Sequence, residues 1–144
     1  MVLDDNYLIS DDPADVDIDA VWAFMNDVTW GRWRSREVLD GQVRDSWRVV
    51  TIRDAQSRAT VAFARAFSDG VSLAYLADVY VAPSHRGRRL GEALIAEMVQ
   101  QGPGKNFKWM LHTHDTHGLY AKFGFVAPGP SCLERPSPLA PPAS

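Results

Sequence analysis

Three arginines lie close together where a predicted helix begins, and their type and spacing indicate phosphate binding. Residues 81–91 read VAPSHRGRRLG, after an apolar predicted strand and before an amphipathic predicted helix. A helix N-terminus offers about four unpaired N–H groups and the positive end of the helix dipole, which together bind phosphate. Two glycines let a ligand approach the backbone, and the arginines supply charge-assisted donors. The alternative is a solvated basic turn, and the segment matches neither common nucleotide-binding motif.

The elements that must position this segment predict an α/β fold. Helical spacing of apolar residues predicts helices over 15–27 and 90–101, and Ser35 is a typical N-cap for a helix over 36–43. The order of elements predicts a mostly antiparallel first half and one crossover in the second half. A further short helix is predicted over 116–122, and the predicted strands are 6–10, 46–53, 59–67, 72–81, 108–113, 125–126 and 132–135.

Length and composition predict a single globular domain. The chain has 144 residues, 46% of them apolar and 23% charged, and a formal net charge of −3. That length matches the usual size of one domain, and the acidic balance argues against a nucleic-acid partner. The apolar runs are too short for a membrane span, and the acidic start MVLDDNYLISDD does not resemble a signal peptide. Because the one cysteine, Cys132, cannot form an internal disulfide, we expect a cytoplasmic protein.

Proline is concentrated at the carboxyl end of the chain. Six of the nine prolines lie at or after Pro128, and residues 136–144 read PSPLAPPAS. This segment lacks the backbone donors and the bulky apolar side chains that a packed core requires. The sequence therefore predicts one domain over 1–135 and a Pro-rich flexible tail over 136–144.

Two segments resemble motifs of the GNAT superfamily of acetyl-CoA-dependent N-acetyltransferases. Residues 80–94, YVAPSHRGRRLGEAL, are similar to its acetyl-CoA motif, in which Arg or Gln is followed by two residues, Gly, one residue, and Gly or Ala. Arg86 and Gly91 match the ends of that motif, whereas Arg89 stands where the family usually has Gly. Residues 118–125, GLYAKFGF, are similar to its LYxKxGF signature.

The resemblance covers roughly residues 6–127 and implies that the domain over 1–135 is a GNAT N-acetyltransferase domain. It implies a three-layer α/β fold, with a central mixed, mostly antiparallel sheet and helices on both faces. It also implies acetyl-CoA as cosubstrate, no metal, and direct attack by an amine in a ternary complex. A bulge in the strand before the motif would present backbone groups to pantetheine and to the thioester. The cofactor-binding residues that the resemblance implies are Val79, Tyr80, Val81, Arg86, Gly87, Arg88, Arg89, Leu90, Gly91, His117 and Lys122.

Acetyl transfer to an amine also needs a proton donor for the thiolate and a proton acceptor for the ammonium. Tyr120 aligns with the tyrosine that many family members use as general acid, and its ordinary pKa of ~10 keeps it protonated at neutral pH. A packing role for its ring is the alternative. Asp78, the one charge in an apolar strand, is the best-placed base, because burial raises a carboxyl pKa. It is alternatively a structural group at the bulge, and His114 and His117 are rival bases.

Metal binding by the histidine-rich stretch is not expected. His112 and His114 share one face if the stretch is a strand, but no third ligand joins them there. His117 and Asp115 complete a possible cluster by composition alone. The sequence therefore predicts no metal site.

The loop between the first two predicted helices is the candidate acceptor site. It contains Trp30, Trp33 and Arg34, and aromatic and guanidinium groups recognise aromatic or carboxylate-bearing amines. The alternative is that the tryptophans pack over the sheet edge. We expect a small-molecule or peptide amine as acceptor, no nucleic-acid or membrane partner, and a fold that allows a homodimer.

Two other functions fit the same residues. A non-catalytic acyl-CoA-binding or regulatory module on this fold would not need Tyr120 together with Asp78. A nucleotide-phosphate binder unrelated to CoA would use only the helix N-terminus and its arginines. A covalent acetyl-cysteine route is not expected, because Cys132 lies in the Pro-rich end.

Overall fold

The computed structural model describes residues 3–139, and their core is a five-stranded mixed sheet. The strands stand in chain order in the sheet, the first four antiparallel and the fifth parallel to the fourth. The strands are β1 (Tyr7–Ser10), β2 (Arg48–Asp54), β3 (Thr60–Ser68), β4 (Leu73–Val81) and β5 (Lys108–Met110). The predicted α/β class, the antiparallel first half and the single crossover are confirmed.

Helices cover both faces of the sheet, which gives the three predicted layers. The first two helices, α1 (Ile18–Asn26) and α2 (Arg36–Arg44), bury Met25 and Leu39 against Phe63 of β3. On the opposite face, α3 (Leu90–Val99) forms the crossover and α4 (His117–Ala121) follows β5. The apolar residues buried there include Val50, Ile52, Leu76, Leu94, Ile95 and Met98.

Short polar side chains cap the first two helices; α2 begins at the predicted Arg36, whereas α1 begins at Ile18, three residues after its predicted start. The Asp17 carboxylate accepts hydrogen bonds from the backbone N–H groups of Asp19 and Ala20. The Ser35 hydroxyl accepts one from the N–H of Val38. These bonds satisfy helix-end donors that would otherwise lack partners.

A buried arginine ties β2 to the end of α3. Arg48 is 7% exposed, and its Nη1 donates to the carbonyl oxygens of Glu97 and Met98 at 2.7 and 3.3 Å. Its Nη2 lies 3.0 Å from the Glu97 carboxylate and 3.1 Å from that of Asp11. A cation at a helix C-terminus meets the negative end of the helix dipole, so this contact stabilises α3 against the sheet.

The two last predicted strands, over 125–126 and 132–135, are wrong. The described chain beyond Met110 contains no strand, and β5 stops three residues short of its predicted end. Phe125 instead packs edge-on against Tyr120, with ring centroids 5.7 Å apart. Pro128 and Pro130 follow at once and supply no backbone donors for a ladder.

Residues 136–139 are exposed and form neither helix nor strand. The rest of the predicted tail, residues 140–144, lies outside the described residues. Within residues 3–139, no helix has the length and apolar character needed to cross a membrane.

Candidate active site

A bulge interrupts β4 where it passes β3. The register runs from Phe63↔Tyr80 to Arg65↔Ala77, so two β4 residues stand opposite one residue of β3. Asp78, one of those two, has a φ of 55°, a left-handed conformation that is uncommon for a residue other than glycine. Bulges of this kind redirect side chains and interrupt pairing. The bulge implied by the family resemblance is therefore present, and it consists of Asp78 and Val79.

The strands β4 and β5 separate beyond Tyr75. Their parallel pairing extends only from Leu73↔Lys108 to Tyr75↔Met110, whereas β4 continues to Val81. A cleft of about 640 Å³ opens between the separated segments. Residues 75–81 line one side, and residues 111–113 with Tyr120 line the other. The backbone of β4 beyond Tyr75 has no neighbouring strand on that side, so it can pair with an extended ligand.

Left-handed residues shape the turn that connects the cleft to α3. After a 3-10 turn over Pro83–His85, Gly87 has a φ of 79° and Arg89 a φ of 63°. Arg89 is the N-cap residue of α3, and its side chain makes no capping hydrogen bond. A left-handed backbone explains physically why the family usually has Gly at this position. The α3 N-terminus thus has no side-chain cap from its own N-cap residue.

The three arginines of this turn have different partners. Arg86 donates through Nε to the Val81 carbonyl oxygen at 3.0 Å, and its guanidinium lies 5.7 Å from the centre of the Tyr80 ring. Arg88 donates to the Tyr7 hydroxyl at 2.9 Å, and that hydroxyl also contacts His85 Nδ1 at 2.8 Å. Arg88 therefore fastens the turn to β1.

Glu92 holds the two other cations that the resemblance assigns to the cofactor. Its carboxylate lies 3.0 Å from Arg89 Nη2 and 2.6 Å from Lys122 Nζ. The hydrogen bond from Lys122 is the largest of the effects that lower the pKa of Glu92.

His117, at the start of α4, directs Nε2 at the Thr113 carbonyl oxygen, 3.1 Å away. Gly91 faces Leu119, and an added Cβ would lie 3.7 Å from that side chain.

Tyr80 contributes its side chain to the sheet core. Its ring stacks on Phe24 with centroids 4.5 Å apart, and its hydroxyl donates to the Asp27 carboxylate at 2.8 Å. Burial and the Asp27 carboxylate raise the pKa of Tyr80, so its hydroxyl stays protonated. Because the side chain faces α1, the backbone is the part of Tyr80 that remains for the cleft.

Asp78 is held between two arginines. Its carboxylate accepts two hydrogen bonds from Arg34, at 2.8 and 3.0 Å, and one from Arg65 at 2.6 Å. Burial by itself raises the pKa of Asp78, but the hydrogen bonds and charges of Arg34 and Arg65 outweigh burial and lower it. The expectation that burial makes Asp78 a stronger base is therefore wrong. The carboxylate instead serves as the shared counter-ion of two guanidinium groups at the bulge.

The predicted acceptor loop lies at the cleft, but only some of its side chains are free to contact an acceptor. Trp30, Trp33 and Arg34 all line it. Arg34 is 5% exposed, and its guanidinium bonds to Asp78 and to the Gln42 side chain at 2.8 Å. Trp33 is half-exposed and lies 5.5 Å from the Arg34 guanidinium. The tryptophans therefore remain candidates for acceptor contact, whereas the Arg34 guanidinium is occupied within the protein.

Tyr120 enters the same cleft as Asp78 from α4. It is 8% exposed, and burial raises its pKa to about 12. Its hydroxyl forms no hydrogen bond within residues 3–139. A phenol in this state is protonated at neutral pH and free to donate a proton.

Sequence reasoning missed a second chain of polar groups on the cleft wall. The Tyr75 hydroxyl contacts His112 Nδ1, and His112 Nε2 contacts the Glu134 carboxylate. The pairing of β4 with β5 is the signal that could have found this chain, because it places Tyr75 opposite Met110, two residues before His112. From the sequence alone, His112 is a candidate only for metal binding. No group of three or more His, Cys, Asp or Glu side chains suited to a metal occurs in the described part of the chain.

Comparisons with known proteins identify relatives over most of the chain. The model of the acetyltransferase (GNAT) family matches residues 20–125. A protein of the GNAT family from Xanthomonas campestris pv. campestris is 32% identical, with a TM-score of 0.82, over 92% of this chain and 94% of that one. No curated protein matches the sequence significantly.

Two more distant solved structures are similar to this chain in fold. Glucosamine-6-phosphate N-acetyltransferase from Arabidopsis thaliana is 14% identical with a TM-score of 0.63, over 90% of this chain and 97% of that one. A predicted acetyltransferase from Clostridium acetobutylicum, crystallised with acetyl-CoA, is 15% identical with a TM-score of 0.61, over 91% of this chain and 95% of that one.

Proposed function

The chain belongs to the GNAT family of acetyltransferases, and on that premise we propose that it moves the acetyl group of acetyl-CoA to an amine by direct attack in a ternary complex. One observation carries the proposal. The open side of β4 leads directly to the α3 N-terminus, so a strand-like binding edge and a phosphate-binding helix end adjoin one another. A ligand with an amide-containing arm and a pyrophosphate matches both halves.

The cosubstrate is proposed to bind along this path. Its pantetheine amides pair with the backbone of residues 79–81, where β4 lacks a neighbour. Its pyrophosphate meets the N–H groups at the start of α3 and the guanidinium of Arg86. Arg89 and Lys122 contribute less, because Glu92 already pairs with both.

The proposed reaction uses the bulge and Tyr120. The amine nitrogen attacks the thioester carbonyl carbon, and a backbone N–H of the bulge stabilises the oxygen that gains charge. The carbon–sulfur bond then breaks, and the Tyr120 hydroxyl gives its proton to the departing thiolate. Burial raises the pKa of Tyr120 to about 12, so the group is protonated when the thiolate forms.

Calorimetric titration with acetyl-CoA and thiol release across a panel of alkyl, aromatic and peptide amines test the proposal. Wild-type protein should bind acetyl-CoA and release thiol with at least one amine class. Arg86→Ala should weaken acetyl-CoA binding by about 10-fold, the usual value of a charge-assisted contact. Arg44→Ala, at an exposed position of α2, is the matched control and should bind acetyl-CoA as tightly as wild type.

Two outcomes contradict the proposal. Acetyl-CoA binding without turnover of any amine favours the non-catalytic acyl-CoA-binding module. Absence of acetyl-CoA binding, together with affinity for ATP or GTP, favours a nucleotide-phosphate binder.

A further inference from the structure

The acceptor ammonium must lose a proton before it can attack, and Asp78 is poorly suited to take it. An alkyl amine with a pKa of ~10 is almost entirely protonated at neutral pH. Asp78 accepts three hydrogen bonds from two arginines, and those contacts favour its ionised, already bonded form. Of the four histidines, all within residues 3–139, only His112 lines the cleft that contains Asp78 and Tyr120.

We propose that Tyr75, His112 and Glu134 form a proton relay that deprotonates the acceptor ammonium, an inference that rests on the acetyl-transfer function proposed above. The Tyr75 hydroxyl contacts His112 Nδ1, and the Glu134 carboxylate contacts Nε2 of the same ring. Tyr75 and His112 line the cleft, whereas Glu134 reaches His112 from the segment that follows α4.

The donor and acceptor inventory sets the direction of the relay. An ionised carboxylate only accepts hydrogen bonds, so Glu134 selects the His112 tautomer with its proton on Nε2. Nδ1 is then the acceptor for the Tyr75 O–H group. A carboxylate that orients an imidazole, which in turn accepts a hydroxyl proton, is the arrangement that activates nucleophiles in many hydrolases.

Packing holds the Tyr75 ring beside the bulge. The ring stacks on Phe67 with centroids 5.1 Å apart, and the Arg65 guanidinium lies 5.7 Å from the Phe67 ring. Arg65 bonds to Asp78, so the relay and the bulge share one wall of the cleft. Burial is the largest of the effects that raise the pKa of Tyr75, and the Glu134 and Asp78 carboxylates add to it. Tyr75 is therefore a phenol that passes a proton on, and not a standing phenolate.

The proton steps balance. One ammonium N–H bond breaks toward the Tyr75 oxygen while the Tyr75 proton passes to His112 Nδ1. The amine lone pair then forms the bond to the thioester carbon. As the carbon–sulfur bond breaks, Tyr120 protonates the thiolate and recovers the second proton from nitrogen. The His112 imidazolium, paired with Glu134, finally releases its proton to solvent.

The charged and titratable groups around the relay come from several elements. Glu134 lies on the segment after α4, Asp78 is on β4, Arg65 is on β3, and Asp115 follows His112 on the cleft wall. A purely structural role is the competing explanation, in which His112 only fastens the Glu134 segment to β4. The test must therefore use a readout that fastening does not change.

The discriminating readout is the ionisation state of the acceptor. Alkyl amines arrive protonated at pH 7, whereas aromatic amines arrive neutral and need no base. Tyr75→Phe and His112→Gln should lower kcat/KM for an alkyl amine by about 10²–10⁴-fold, the usual range for general base catalysis. The loss should shrink to less than about 10-fold for an aromatic amine, and for the alkyl amine it should diminish as pH rises toward the amine pKa. Glu134→Gln should lower kcat/KM for the alkyl amine by up to about 10⁴-fold, because the imidazole loses the carboxylate that sets its tautomer.

Leu133→Ala is the matched control for the Glu134 segment, because Leu133 is 90% exposed and adjacent in sequence. It should leave both acceptor classes unaffected, and calorimetry should give every variant an acetyl-CoA Kd within about twofold of wild type. Imidazole ¹⁵N NMR of His112 should report a proton on Nε2 that shifts in Glu134→Gln.

Each alternative result is decisive. Equal losses for alkyl and aromatic amines, unchanged activity in His112→Gln, or a His112 signal unaffected by both neighbouring substitutions would overturn the relay while wild-type turnover upholds acetyl transfer. No thiol release by wild-type protein with any amine would overturn the proposed function and the relay together.

Discussion

Arg34 and Asp78 face each other through two hydrogen bonds of 2.8 and 3.0 Å, although 44 residues separate them in the chain. Both side chains are less than one-tenth exposed. Arg65 adds a third bond to the same carboxylate. The contact joins the loop between α1 and α2 to the β4 bulge, so the proposed acceptor side and the proposed thioester side of the cleft are tied together. Asp78 itself has a left-handed backbone conformation.

Asp78→Asn should destabilise the protein by about 3–5 kcal/mol, because it leaves two buried guanidinium groups without their counter-ion. Asparagine tolerates a left-handed backbone, so backbone strain does not account for the loss. Urea denaturation at pH 7 measures the change. Asp40→Asn, which breaks an exposed pair on α2, is the control and should cost less than about 1 kcal/mol. Similar losses of stability in Asp78→Asn and Asp40→Asn would contradict the role of Asp78 as the counter-ion of two buried arginines.

The same carboxylate should make stability fall in acid. The pKa of Asp78 is lower in the folded protein than its unfolded value of ~3.9, so the folded state favours the ionised carboxylate. Its contribution is complete above the unfolded pKa and is lost as pH falls through the folded pKa. Unfolding free energies measured from about pH 6 to pH 2 should therefore decline less in Asp78→Asn than in wild type. Parallel curves would refute this.

Arg89→Gly should be more stable than Arg89→Ala by about 1 kcal/mol. Both variants lose the contact with Glu92, but only glycine adopts a φ of 63° without steric cost. The difference in stability between the two variants therefore measures the free-energy cost of the left-handed backbone. Thermal or urea denaturation of the two variants provides the measurement, and equal stability would show that the left-handed N-cap costs nothing.

Tyr120→Phe should lower kcat by about 10²–10⁴-fold while acetyl-CoA affinity changes little. The hydroxyl bonds to no other group among residues 3–139, so its removal should not destabilise the protein. Steady-state kinetics, calorimetry and a melting curve separate these effects. Since burial raises the pKa of Tyr120 to about 12, wild-type kcat should show no loss of this acid below about pH 11. Unchanged turnover in Tyr120→Phe would remove Tyr120 from the mechanism.

Arg48→Met should destabilise the protein by about 3 kcal/mol. Methionine fills similar space but leaves the carbonyl groups of Glu97 and Met98 without their charged donor. Arg44→Met, on the exposed face of α2, is the matched control and should change stability by less than about 0.5 kcal/mol. Urea denaturation compares the two, and an equally small change in Arg48→Met would contradict the role given to Arg48.

Local sequence patterns predicted the elements well where a short-range cause decides them. Ser35 caps α2 as predicted, because the nearby N–H of Val38 needs an acceptor. The order of elements then left few ways to assemble the sheet. The predictions of strands over 125–126 and 132–135 are wrong, because apolar composition does not show whether a neighbouring strand is available for pairing. Phe125 packs against the Tyr120 ring instead of pairing in a sheet.

The candidate site was predictable only where its parts are contiguous. The turn from Arg86 to Gly91 is such a part, and its family resemblance marked Arg89 as a departure from the usual Gly. The structure shows that the backbone is left-handed there. The partners of Asp78 come from two other elements, so its pKa could not be judged from a strand that is otherwise apolar. Tyr75 and His112 were missed for the same reason, since strand pairing and not sequence spacing brings them together.

The early separation of β4 from β5 makes β4 an interior strand for three residues and a free edge for the rest. An exposed edge invites pairing with strands of other molecules, and proteins usually blunt such edges to avoid aggregation. Here the edge lies inside a cleft walled by residues 111–113 and Tyr120. Because these residues stand in front of the edge, a strand of another protein has less access to it than to an open sheet edge.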